Sequence, residues 1–229
     1  MSTRPNTTRK RKPGKAVMER AMELSRRLAE LYPDYRGFLE SRNPFELLVA
    51  VMLSAQTTDK AVNRVTPELF DRWPDAQHLA EASPTDVLEV IRTLGLAKSK
   101  AGRCVACAQM LVAEYGGEVP CDLEELQKLP GIGRKSANVV MCDAFGIAEG
   151  VAVDTHVGRI ARRMGFSTCT DPSNVEKDIL LIFPKSEWHC INKRWIMLGR
   201  EYCSARNPKC ADCPVQDICP SAGKASMPS

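Results

Sequence analysis

Four cysteines, Cys203, Cys210, Cys213 and Cys219, stand in a C-x6-C-x2-C-x5-C run. Four soft thiolates so close along one chain gather around a single centre, either a structural zinc ion or a cubane iron–sulfur cluster. Zinc sites usually offer two tight C-x2-4-C pairs. Here only Cys210 and Cys213 form one, so the spacing leans toward iron–sulfur and leaves zinc open. Paired disulfides are the blander alternative. A second run, Leu129-Pro130-Gly131-Ile132-Gly133-Arg134-Lys135-Ser136-Ala137, closes one short helix and opens another. Gly131 and Gly133 permit positive φ and close approach of a bulky partner. The free amides of the turn and of the next helix then form an anion site, with phosphate its natural occupant. Without that ligand the run would be an ordinary helical corner with glycine caps.

These groups must be positioned by helices. Met18–Leu31 carries apolar residues at helical spacing and stops before Pro33. Asn43-Pro44 is a cap with a first-turn proline, opening an almost wholly apolar helix from Phe45 to Ala55, which belongs in a core. Helices follow over 59–70, from Ser83-Pro84 toward Gly95, and over 98–115. Asp122 with Glu125 reads as a capping box for a short helix ending at Leu129. Four more helices are expected over 134–145, 154–164, 171–183 and 188–202. Val151-Ala152-Val153 is too short to be more than an extended connector. The fold class is therefore all-α, with about ten helices. Cys104 and Cys107, one turn apart in an apolar helix, and Cys142 read as buried core thiols.

The composition, 44% hydrophobic and 26% charged, is that of an ordinary globular chain. No apolar run approaches the roughly 20 residues that cross a bilayer, and no secretory h-region follows the basic start. Ten cysteines then argue for thiols and metal ligation in a reducing cytoplasm. The net charge of +4 is concentrated at the start. Residues 1–15 hold Arg4, Arg9, Lys10, Arg11, Lys12 and Lys15 with no acid, which reads as a disordered basic tail. Such a tail adds phosphate attraction or mere solubility. The remainder is slightly acidic and must meet a polyanion through local patches.

The motifs LSAQTTD (Leu53 to Asp59), LPGIGRKSANVV (Leu129 to Val140) and VDTH (Val153 to His156), with the four-cysteine run, occur in one order across residues 18–220. By these motifs the chain resembles the endonuclease III family of bifunctional DNA glycosylases and abasic-site lyases. The resemblance implies two helical lobes with a DNA-binding cleft between them. One is a six-helix barrel over 37–147 with a helix-hairpin-helix at about 122–145. The other, from 16–36 plus 148–221, holds one [4Fe-4S] cluster on the four cysteines, with a flexible tail over 222–229. It further implies removal of oxidised pyrimidines from double-stranded DNA, cutting 3′ to the lesion, by a monomer at the nucleoid of a bacterial cytoplasm.

Site roles follow from the same resemblance. Lys135 is the nucleophile: an amine can attack the sugar C1′, expel the base and hold an imine, which a hydroxyl cannot. Partial burial and the helix N-terminus are expected to favour its neutral form. Asp154 is the carboxylate that steadies the positive sugar, and its position also suits the N-cap of the helix after it. Gln56 fills the space left by the extruded nucleotide, and Leu96 is either the wedge beside it or a core leucine at a helix end. Gly131, Gly133 and Arg134 are expected to meet DNA, as are Arg206 and Lys209 on the loop between the first two cysteines, while His156 either contacts phosphate or packs as a core histidine. The adenine-mismatch glycosylases of the same superfamily resemble the chain less. They lack the lysine after the hairpin and carry a catalytic glutamate where this chain has Ala50. A DNA-binding module without catalysis would need neither Lys135 nor Asp154.

Overall fold

In a computed structural model of the chain, residues 13–33 and 37–224 are described. They form helices α1 (Lys15–Leu31), α2 (Pro44–Leu53), α3 (Asp59–Arg72), α4 (Ala76–Ala80), α5 (Pro84–Ile91), α6 (Ala97–Tyr115), α7 (Leu123–Lys128), α8 (Arg134–Phe145), α9 (Thr155–Arg163), α10 (Pro172–Ile182) and α11 (Trp188–Glu201). Among the described residues there is no strand, and 151–153 is an extended connector. The basic tail expected over 1–15 lies outside the described residues as far as position 12, and Lys15 already belongs to α1. Of the tail expected over 222–229, residues 225–229 lie outside them, while Ala222 N donates to Cys219 O at 3.0 Å.

The cap residues act as their chemistry dictates. Asn43 accepts from Glu46 N at 2.9 Å and Pro44 occupies the first turn of α2. Every residue of α2 from Phe45 to Leu53 is buried, so the helix runs through the middle of a core. Asp122 caps α7 through Glu124 N and Glu125 N. The capping box is only half made: Glu125 turns instead to Tyr115 Oη, at 2.8 Å, and to Lys128 Nζ, at 2.6 Å. The five-residue α4 has no counterpart in the sequence reading, being too short to show a helical period. It is held by Asp75, which accepts from His78 N, and by packing of Ala76 and Leu79.

Two hydrophobic cores result. The first is drawn from α2 to α8 (the six helices expected, plus α4) and is centred on Leu48, Leu53, Leu69, Ile91, Leu111 and Leu126. The second joins Leu24 and Leu28 of α1 to residues of 151–153, α9, α10 and α11 and to Val215. At its centre Trp195, 1% exposed, lies 5.9 Å from the Phe166 ring and 5.7 Å from that of Phe183. Truncating such a residue to alanine costs about 3–5 kcal/mol.

The lobes are joined by ion pairs. Asp143 of α8 meets Lys193 of α11 at 2.6 Å, both nearly buried. Asp59 at the start of α3 meets Arg200 of α11 at 2.6 Å, and that guanidinium lies 4.5 Å from the Phe38 ring centre. Glu176 of α10, 4% exposed, accepts from Arg134 Nε at 2.7 Å, Asn138 Nδ2 at 3.1 Å and Val151 N at 3.2 Å. No described helix is long and apolar enough to cross a membrane.

Candidate functional site

The helix-hairpin-helix is formed by α7, the turn 129–133 and α8. Gly131 has φ +89°, and a Cβ there would stand 3.1 Å from Met52 Cε and 3.2 Å from Arg103 Cδ, so no other residue fits without displacement. Gly133 is different. Its φ is −95° and a Cβ would meet nothing, so it does not need the freedom expected of it. It is the N-cap of α8 and has no side chain to cover the amides of the first turn. Those N–H groups are left for an anion.

Lys135 stands in that first turn and lines a cavity of about 90 Å³ between the lobes, with Ser54 and Val51 of α2, Asp143 of α8 and Asn192 and Lys193 of α11. The one acidic side chain of α8 facing this cavity, Asp143, is already engaged by Lys193. Among the described residues no ion pair or hydrogen bond engages the Lys135 amine. Lys135 is exposed, not partly buried as the sequence reading expects. Its desolvation must therefore come from a bound partner.

Asp154 is the N-cap of α9, its carboxylate accepting from Val157 N at 2.8 Å. The hydrogen bond fixes the side chain while leaving its second oxygen available. Asp154 follows Val151 by three residues, and Lys135 follows Arg134 by one. The Glu176 carboxylate touches both leading residues and so ties the segments that carry the two candidate catalytic groups. Sequence reasoning missed Glu176, which reads as one of several charges on an amphipathic helix. Gly150 was missed likewise: a Cβ there would run into Glu176 Oε1 and come within 2.8 Å of Asn138 Oδ1.

Arg134 is expected on DNA, but its guanidinium lies on Glu176. His156 is half-buried, with Nδ1 3.0 Å from Arg159 Nη2 and its ring filling the space above Gly199. Burial, and less strongly Arg159 and Arg200, lower its pKa, while the nearby Asp154 works the other way. Lys193, Arg194 and Arg200, the basic residues upstream of the cysteines, are occupied internally. Their partners are Asp143, the Tyr32 carbonyl and Asp59 in turn.

Gln56 is exposed and has φ +53°; Leu96 is 58% exposed and has φ +60°. That exposure removes the reading of Leu96 as a core leucine at a helix end.

Cys203, Cys210, Cys213 and Cys219 line a single cavity with Ile160, Met164, Leu198 and Val215. Burial raises the thiol pKa of Cys213 and Cys219. Cys203 Sγ accepts from Arg163 Nη1 at 3.2 Å. No three candidate ligands among the described residues are close enough to share one metal ion. Four cysteines lining one largely apolar cavity suit an iron–sulfur cluster held by thiolates. The loop between the first two cysteines is clamped by Arg163, which donates to Ser204 O at 2.7 Å and Ala205 O at 3.1 Å. Arg206 and Lys209 of this loop are exposed. Arg27 of α1 holds the far side through Asp217, at 2.8 Å. Arg163 was missed by sequence reasoning, although it ends a basic run at 159–163.

The model of the HhH-GPD superfamily base excision DNA repair protein matches residues 49–185, and that of the iron-sulfur binding domain of endonuclease III matches residues 203–219. The endonuclease III of a Synechocystis strain is 44% identical over 204 residues, covering 89% of this chain and 93% of that protein. That of Escherichia coli K12 is 39% identical over 199 residues, covering 86% and 93%. A solved structure of a trapped endonuclease III–DNA covalent intermediate superposes with a TM-score of 0.85 at 41% identity, covering 90% of this chain and 97% of that one. A thermostable thymine-DNA glycosylase, 22% identical, shares the fold with a TM-score of 0.83.

Proposed function

The chain belongs to the endonuclease III family, as a DNA glycosylase and abasic-site lyase that carries an iron–sulfur cluster, and on that premise we propose how its own residues divide the work. Lys135 is the nucleophile. The observation that carries this reading is an amine without a partner, on the first turn of the hairpin's second helix, facing a cavity between the lobes whose two acids, Asp143 and Asp59, are already paired with Lys193 and Arg200. A damaged pyrimidine nucleotide flipped into the cleft would present its C1′ to Nζ. Duplex covering the exposed amine strips its water, and the α8 N-terminus disfavours a second positive charge there. Attack at C1′ forms the C–N bond as the bond to the base breaks, the base leaving with the electron pair and taking up a proton. The new C1′ ammonium gives up a proton, its lone pair forms the C1′=N bond as the C1′–O4′ bond breaks, and O4′ leaves with the electron pair and takes up a proton, giving the protonated imine. Its positive nitrogen acidifies the 2′ hydrogens, and β-elimination releases the 3′ phosphate.

Asp154 stabilises the positive charge that develops on the sugar and accepts a proton from it. The N-cap bond to Val157 N holds it in one rotamer. Phosphate on the lesion strand takes the open amides at Gly133 and α8. Gln56 and Leu96 enter the duplex, and Arg206 and Lys209 hold its backbone from the clamped loop. Arg134 takes part by holding the hairpin to the second lobe. The cluster, a [4Fe-4S] centre on the four cysteines, supplies a covalent pin for that loop. The substrates are oxidised pyrimidines and abasic sites, the working form is a monomer, and its place is on nucleoid DNA in the cytoplasm.

The test is borohydride trapping on duplex containing an abasic site. Wild-type protein should give a covalent adduct and Lys135→Ala none, with duplex binding retained. Trapping that persists in Lys135→Ala would remove Lys135 from the role.

A further inference from the structure

Among the described residues only Gln56, Leu96 and Asn207 are non-glycine with left-handed φ. Gln56 and Leu96 belong to different elements, the turn after α2 and the N-cap of α6. Each strained backbone persists only where its surroundings over-determine it. One residue bonds to both turns, to one through its side chain and to the other through its backbone. Lys100 of α6 donates from Nζ to Thr57 Oγ1 at 2.6 Å, while its backbone N–H donates to Leu96 O at 3.0 Å. The turns also touch directly: a Cβ on Gly95 would stand 3.3 Å from Gln56 O. Lys100 is 4% exposed, and burial depresses its pKa. Packing alone does not call for an ammonium here, since a methionine of similar length would fill the space without the cost of burying charge.

We propose that Lys100 is a positioning residue for nucleotide extrusion, locking the Gln56 turn to the Leu96 turn so that both side chains enter DNA as one preformed wedge. The inference rests on the reading that Gln56 and Leu96 occupy the duplex. It adds that their relative placement is set in the free protein by the Lys100–Thr57 bond. A wedge that is already rigid loses less conformational freedom on entering the helix.

The experiment compares Lys100→Met, Thr57→Val and Thr57→Ser with wild type on three readouts. These are single-turnover cleavage of duplex with thymine glycol, cleavage of an abasic site in single-stranded DNA, and fluorescence of 2-aminopurine opposite the lesion. Lys100→Met and Thr57→Val should slow duplex cleavage ~10-fold or more and suppress the fluorescence rise, with single-strand cleavage changed less than ~2-fold. Thr57→Ser, which keeps the hydroxyl, should stay near wild type. Equal losses on duplex and single strand would reduce Lys100 to a fold-stabilising role and overturn the proposal, as would an unchanged duplex rate in both substitutions. Gln56→Ala and Leu96→Ala separate the two layers. If they leave fluorescence and duplex cleavage unaltered, the wedge reading itself fails. If they lower both while Lys100→Met does not, only the role of Lys100 fails.

Discussion

Replacing Glu176 by alanine tests how the lobes are held together. Its carboxylate is 4% exposed and accepts from Arg134, Asn138 and Val151. Breaking a buried ion pair by removing one partner costs about 3–5 kcal/mol. The Arg134 side chain is 46% exposed, so it recovers water and the lower end applies. The buried Val151 N–H recovers little and loses its acceptor, which costs about 1–3 kcal/mol. The two losses share one carboxylate and do not simply add, so Glu176→Ala should destabilise by roughly 3–4 kcal/mol. For a chain of this size that is a fall in melting temperature of roughly 6–16 °C. Glu176→Gln keeps an oxygen for Val151 N and should lose only about 1–2 kcal/mol. Urea unfolding followed by far-UV circular dichroism measures both. An alanine variant within about 1 kcal/mol of wild type at unchanged denaturant dependence would refute the account of Glu176 as the buried tie between α8 and the connector before Asp154.

Gly150→Ala attacks the same network from the other side. Its Cβ must displace Glu176 Oε1 or Asn138, so it should cost about 1–3 kcal/mol in the same assay. Asp154→Asn keeps an acceptor for Val157 N, so the melting temperature should move by less than about 3 °C while glycosylase turnover falls at least ~100-fold. Cys203→Ser should lower the broad iron–sulfur absorbance of the purified protein near 410 nm, roughly in proportion to cluster loss. Burial pushes the Cys104 and Cys107 thiols up to about 12. Their neutral form is favoured by folding, so this contribution is complete below the unfolded thiol value and is lost as pH rises from there toward about 12. Iodoacetamide at pH 8 should therefore label exposed Cys121 and spare Cys104 and Cys107 until the chain unfolds, as read by peptide mass spectrometry.

Much of this molecule is legible in its sequence because capping and periodicity are local signals. Asn43-Pro44, Ser83-Pro84, Asp122 and Asp171 each open the helix they announce. The helix over 134–145 has the same ends in both readings. The features left unread depend on distance in space. Nothing near Glu176 in the chain reveals that Arg134, 42 residues earlier, will meet it. Nor does the basic run ending at Arg163 reveal that one guanidinium will clamp a loop 41 residues later. The basic residues 193, 194 and 200 resemble a free surface because their partners lie at Asp143, Tyr32 and Asp59. Exposure was also beyond the sequence: Lys135 lies open where burial was expected, and Leu96 projects where a core leucine was an alternative.

The second core draws Leu24 and Leu28 from the beginning of the fold and Trp195 and Val215 from its end. On the ribosome the helices of the first core emerge together and can pack while translation continues. Leu24 and Leu28 must wait for their partners until the cysteine-bearing segment has been made. A half-synthesised polypeptide thus already displays the hairpin and its amine, yet has no anchored acid and no pinned loop to set against them.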